Sequence, residues 1–256
     1  MSTASKREIL AWAFYDFANS GYTTIVLTTI YSAYFVGVVA ADVDLQSPGR
    51  ATLLWTLAIA AANLVVLLSG PVIGAIADVR ASKKPFLLAS SIMCVTCTAL
   101  LAFAAPGQVW FALFALTLSA IAFAYGENLI AAFLPEIASH ENMGRISGYG
   151  WSLGYFGGLL TLGLCLVYIN SATGQGLPAS HYVPVCLLIT AVIFAVTAAP
   201  TFLWLKERAI PGFLPAGVSY TRAGLNEVLE TLGHASRFRD LFSFLLCLTL
   251  FQSGVA

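Results

Sequence analysis

Asp16, Asn19, Ser20, Thr23, Thr24, Thr28 and Tyr31 recur at i, i+3, i+4, i+7, i+8, i+12 and i+15 within "AWAFYDFANSGYTTIV" and the apolar run after it. On an α-helix they form one polar stripe. Phe14, Ala18, Ile25 and Ile30 make the opposite side apolar, so the stripe faces protein or water rather than lipid. A second carboxylate, Glu127, stands beside Asn128 inside another apolar run. An acidic side chain at the centre of a membrane span costs roughly 2.5 to 3.5 kcal/mol on insertion scales. Its presence points either to function or to a structural pairing with a hydroxyl or amide across helices; Asn63 is a milder case. Asp16, Asn19, Thr23, Glu127 and Asn128 are therefore the candidates for a solute and proton pathway. Glu127 is expected to sit deeper and to be the proton-sensitive group. Asp16, nearer a span end, either orients solute and latches a gate or simply caps the helix at the interface.

Other chemistries are weaker. Gly150-Trp151-Ser152-Leu153-Gly154 fits G-x-S-x-G, but that pattern needs a strand-turn-helix context and a histidine partner. Here it opens a long apolar run, and His140, His181 and His234 all fall in loops. Cys94-Val95-Thr96-Cys97 has metal-like spacing without a second pair or a nearby histidine, so packed apolar thiols are the expectation. No catalytic residue, metal, cofactor or nucleic-acid partner is implied, and the chain is not expected to be an enzyme.

The elements that must position these residues follow from composition. Of 256 residues, 59% are hydrophobic and 9% charged, against about a quarter charged in a soluble domain. The apolar residues fall into runs of about 20, enough for a helix to cross a hydrocarbon core of about 30 Å. Six spans are expected, at Phe17–Ala40, Leu53–Ala77, Pro85–Ala105, Val109–Leu134, Trp151–Ile169 and Val183–Leu205. The fold class is thus an all-α membrane protein. Of the 12 Lys and Arg residues, all but Arg50 flank the spans on one side, which places that side and the N-terminus in the cytoplasm. Trp12, Trp55, Trp110, Trp151 and Trp204 fall near span ends, as an interfacial belt requires.

The first apolar run, with Asp16 near its start, is too long for a cleaved signal peptide. After the sixth span comes a basic linker, residues 206–240, in which Leu225, Val228, Leu229 and Leu232 have helical spacing and predict an amphipathic surface helix. A seventh apolar run starts near Leu241 and reaches about sixteen residues, short of a crossing. The expected organisation is a six-helix bundle over 1–205, a cytoplasmic linker over 206–240 and the start of a seventh helix over 241–256. Five or six further spans are expected beyond.

"GPVIGAIADVRASKKPF", Gly70–Phe86, resembles the loop signature of the major facilitator superfamily. Gly74, Asp78, Lys83 and Lys84 match it as a gating loop. Val79, Ala81 and Ser82 depart from it, standing where a basic residue, a glycine and another basic residue are usual. Gly70 and Gly74 suggest a tightly packing face, and Asp78 suggests a partner elsewhere, because the C-terminal end of a helix already carries partial negative charge. In "LPEIASHENMGRISGYGWSLGYFGGLL", Gly150, Gly154 and Gly158 are spaced by four and predict a groove for close helix packing. Together with "AWAFYDFANS" and "AAFLPEIAS", this stretch resembles the branch of that superfamily containing the autophagy-related vacuolar amino-acid effluxers and their bacterial relatives.

The resemblance implies two six-helix bundles working by alternating access, with the first and fourth helices lining the cavity. It does not fix a substrate, although it makes amino-acid efflux the leading candidate; the expectation is a multi-pass protein of the cell (inner) membrane, a monomer, moving a small polar solute coupled to protons through Glu127. A channel or a membrane-embedded enzyme is the alternative. A channel needs a charged or carbonyl ring around a pore.

Overall fold

The computed structural model describes residues 4–209, 211, 229, 233 and 239–255. Six helices among them are long and apolar enough to cross a membrane, and the chain is an integral multi-pass membrane protein. The first span covers Lys6–Val39, the second Arg50–Val79, the third Lys83–Leu101, the fifth Met143–Gly174 and the sixth Ala179–Trp204. The fourth runs Val109–Ala131, with a single further turn at Leu134–Ile137.

The first span starts well before Phe17 because a capping box sets its origin. Ser5 Oγ accepts from the Glu8 amide at 3.3 Å, and Glu8 Oε2 accepts from the Ser5 amide at 2.8 Å. Such a cap satisfies two of the free amides at a helix start. This helix is also not α-helical throughout: Thr23–Thr28 and Phe35–Val39 are π-helical. Each inserts an extra residue into the i→i+4 ladder and turns the remainder of the helix by about 100°. The stripe therefore breaks at Tyr31. That ring is fully buried 6.0 Å from Trp55 instead of continuing the polar face.

The bundle core is held by aromatic packing and by polar pairs that lipid would leave unsatisfied. The Tyr15 and Tyr22 hydroxyls bond Ser91 and Ser119 at 2.7 and 2.8 Å, and the Tyr22 ring stacks on Phe123 at 4.9 Å. Thr201 Oγ1 donates to the Ala11 carbonyl at 2.7 Å, tying the sixth helix to the first. Trp12 is buried and donates its indole N–H to the Ile130 carbonyl at 2.8 Å. It is a core anchor and not a member of an interfacial belt, since the early helix start carries it inside the bundle. Outward, Leu64, Leu67, Leu68, Val192 and Val196 are exposed, as a surface solvated by lipid tails requires.

Cys94, Cys97, Cys165 and Cys186 are buried free thiols. A further helix occupies Arg239–Val255, with an apolar stretch at Phe242–Phe251. Leu225, Val228 and Leu232 of the expected amphipathic linker helix lie outside the described residues.

Candidate functional site

The first and fifth helices lie against one another along glycines. A Cβ added at Gly157 would run into the Phe17 carbonyl, and one at Gly150 would run into the Asp16 carboxylate. One at Gly154 would meet Ser20 Oγ at 2.7 Å, and one at Gly158 would meet Thr24 Oγ1 at 2.9 Å. Bare backbone on the fifth helix thus receives the polar face of the first. Gly157 makes the closest backbone approach of the four and breaks the spacing of four that marks the others. The signal for it was the doubled Gly157-Gly158. Gly126 on the fourth helix does the same for the Tyr15 hydroxyl, which a Cβ there would meet at 2.6 Å.

This packing opens a cavity of about 420 Å³ lined by Asp16, Asn19, Ser20, Thr23, Thr24 and Glu127, with Trp151, Tyr155 and Leu159 from the fifth helix. Its volume is in the range of small-molecule sites. Asp16, Asn19, Thr23 and Glu127 meet here although the last lies on a different helix. At about 1.5 Å per residue Asp16 lies roughly 15 Å from the helix start at Lys6, so it is no end cap. Glu127 is one turn from Ala131, with the further turn at Leu134–Ile137 beyond it. Neither makes a hydrogen bond or ion pair among the described residues. Trp151 and Tyr155 stand edge to face at 5.8 Å.

Asn128 is not in this cavity. One residue of helix turns about 100°, which carries it to a smaller cavity of about 250 Å³ with Gly70, Gly74, Asp78 and Lys83. Gly70 and Gly74 do not pack tightly; nothing lies within 4 Å of a Cβ added at either. They leave an open groove between the second and fourth helices. Above it the Ser69 and Tyr125 hydroxyls bond one another.

At the basic end of the bundle the gating-loop residues enter a charge network. Lys83 Nζ lies 3.1 Å from both Asp78 Oδ1 and Glu136 Oε1. Asp78 thus finds its partner five residues on in its own loop, where the sequence suggested one further away. Glu207 accepts from the Lys83 and Lys84 amides at 2.6 and 3.2 Å, capping the third helix from across the bundle. Lys84 Nζ donates to the Leu205 carbonyl at 2.6 Å. Glu136 also accepts from the Arg208 amide at 2.7 Å, and the Arg208 guanidinium reaches Glu8 at 2.8 Å. Glu8, Glu136, Glu207 and Arg208 are the members that sequence reasoning missed.

Within that loop Ala81 adopts a left-handed φ of 46°, at the position where the related signature carries glycine. Among the described residues no group of three or more His, Cys, Asp or Glu side chains is arranged to hold a metal.

Residues 49–256 match the family described as vacuole effluxer Atg22 like. The chain is also 29% identical over 250 residues to an uncharacterized MFS-type transporter, YxiO, of Bacillus subtilis (strain 168). That alignment covers 96% of this chain and 56% of the relative, so the chain spans little more than half of the relative's length. No solved structure matches significantly.

Proposed function

Because this chain belongs to the Atg22-like vacuole effluxer family of the major facilitator superfamily, we propose that it is the N-terminal bundle of a secondary transporter. It moves a small polar solute, in the first instance an amino acid, by alternating access around a midplane site. The observation that carries this reading is the cavity between the first, fourth and fifth helices, where two carboxylates on different helices face one space. Intramembrane acidic groups facing a bundle interior mark ion and solute pathways. The π-helical turn at Thr23–Thr28 beside them is a feature often found at functional sites. The basic end is cytoplasmic by the distribution of Lys and Arg, the membrane is the cell (inner) membrane, and the working unit is a monomer.

Glu127 is the proton-coupling group and Asp16 the fixed anchor. Like charges sharing a site repel, and uptake of one proton relieves the repulsion. Asp16 is held in the notch at Gly150, whereas Glu127 stands on the more open wall. The test is the full-length protein in proteoliposomes under an imposed pH gradient, with radiolabelled amino acids. Saturable accumulation driven by the gradient is expected, and Glu127→Gln should remove its pH dependence while leaving solute exchange measurable. Flux rising linearly with concentration would instead mark a channel. Full proton-driven accumulation in Glu127→Gln would return that residue to a packing role.

A further inference from the structure

We propose that the solute bound in this cavity carries a positively charged nitrogen, an ammonium or guanidinium group, on an apolar or aromatic body. The inference rests on the transporter reading and deepens it.

Three observations converge. Asp16 and Glu127 line the cavity, and among the described residues no Lys, Arg or His lines it with them and neither carboxylate has a hydrogen-bond or ion-pair partner. Asp16 is half-buried and Glu127 stands on the more open wall, and the group that pairs with two unpartnered carboxylates facing one space is a cation. Independently, Asn19 lines the same space, is only 4% exposed, and its side-chain oxygen has no hydrogen-bond partner. A buried acceptor of this kind calls for a donor. Thr23 extends the pattern: its hydroxyl hydrogen is committed to the Asn19 carbonyl at 3.1 Å, so it offers the cavity lone pairs.

With two carboxylates, the Asn19 oxygen and the Thr23 oxygen set against the Ser20 and Thr24 hydroxyls, acceptors outnumber donors in the polar lining, and an N–H-rich cationic group matches that balance. On the facing wall Trp151 and Tyr155 remain 66% and 64% exposed. Aromatic rings attract a cation to their faces and offer apolar surface to the rest of a solute. An anion would meet two like charges here. A zwitterionic amino acid would be gripped by its ammonium end, and one with a second positive charge, or an amine with no carboxylate, fits this bundle better.

The experiment is calorimetric titration of the purified full-length protein with tyramine, agmatine and lysine, and with 4-hydroxyphenylacetate as the anionic counterpart of tyramine. At least one of the three cations is expected to bind, about tenfold or more tighter than the anion. Asp16→Asn should weaken it by about tenfold or more, in line with loss of a charge-assisted contact. Trp151→Leu should weaken it by a smaller factor, while Trp110→Leu, at the exposed start of the fourth helix and outside the cavity, leaves it unchanged. If Asp16→Asn fails to elute as a folded protein, Glu127→Gln takes its place with the same expectation.

Absence of binding by all three cations would overturn the proposal. So would equal binding of the anion, or an unchanged affinity in the carboxylate variant. Binding without flux of any solute would sink the transporter reading and leave this one standing. Flux of leucine or of an anion, with no cation bound, would sink this one alone.

Discussion

At the basic rim of the bundle Asp78, Glu136, Glu207 and Glu8 each have a partner within 3.2 Å, whereas in the cavity Asp16 and Glu127 have none among the described residues. Both groups of carboxylates belong to the same six-helix bundle. The rim charges are satisfied by loops and helix ends of this bundle, and hold its end together as one body. The cavity charges remain unsatisfied, which is tolerable only where water, a proton or a solute completes them. In this bundle the paired carboxylates gather at the rim and the unpaired ones at the cavity.

The largest effect is expected where the cavity is built. Gly157→Leu sets a side chain against the Phe17 carbonyl and should abolish a monodisperse peak in size-exclusion chromatography. Gly163→Leu, where nothing lies within 4 Å, should leave the peak intact. Equal behaviour of the two would break the claim that the glycine groove creates the site.

Next comes the rim. Lys83 and Glu136 are each 13% exposed at the side chain, so breaking this partly buried pair costs more than the roughly 0 to 1 kcal/mol of an exposed pair and less than the roughly 3 to 5 kcal/mol of a fully buried one. Glu136→Gln should therefore lower the thermal transition of the full-length protein clearly. An unchanged transition would put the rim carboxylates on the same footing as the cavity ones.

Asp78 is 57% exposed, so its pair with Lys83 contributes about 0 to 1 kcal/mol. Asp78→Asn should barely move the thermal transition, yet slow transport at equal expression because the loop's closing contacts lose a charge. Wild-type rates would remove Asp78 from the gate. The smallest effect belongs to Ala81→Gly, which relieves a left-handed backbone costing about 1 to 2 kcal/mol for a residue with a Cβ, offset in part by the greater freedom of glycine when unfolded. A gain in stability under about 1 kcal/mol is expected, and a loss would mean that the φ at this position is not strained.

The features legible in the sequence were those that depend on local periodicity. Six apolar runs gave six helices, and the stripe from Asp16 to Thr24 gave one face of the first. The stripe failed at Tyr31 because nothing in the composition of Thr23–Thr28 announces a π-helical turn, and one inserted residue re-aims every side chain beyond it. Adjacency to Glu127 suggested one site for Asn128, but neighbours on a helix point about 100° apart, and Asn128 lines the second cavity. The rim network was illegible for a different reason. Its partners are separated by 53, 124 and 200 residues, and only the packed bundle brings Glu136, Glu207 and Arg208 to Lys83 and Glu8. Ala81 was legible as a departure from a glycine position, but its backbone conformation was not.

The most direct test of the central claim asks whether water reaches the unpaired carboxylates. In the full-length protein with Cys94, Cys97, Cys165, Cys186 and Cys247 replaced by alanine, Thr23→Cys on the cavity wall is compared with Leu188→Cys on the exposed side of the sixth helix. A membrane-impermeant thiol reagent needs a hydrated thiolate to react. The account predicts rapid modification of Thr23→Cys and little at Leu188→Cys. Equal, slow modification at both positions would contradict it, leaving Asp16 and Glu127 in a dry interface rather than on a pathway.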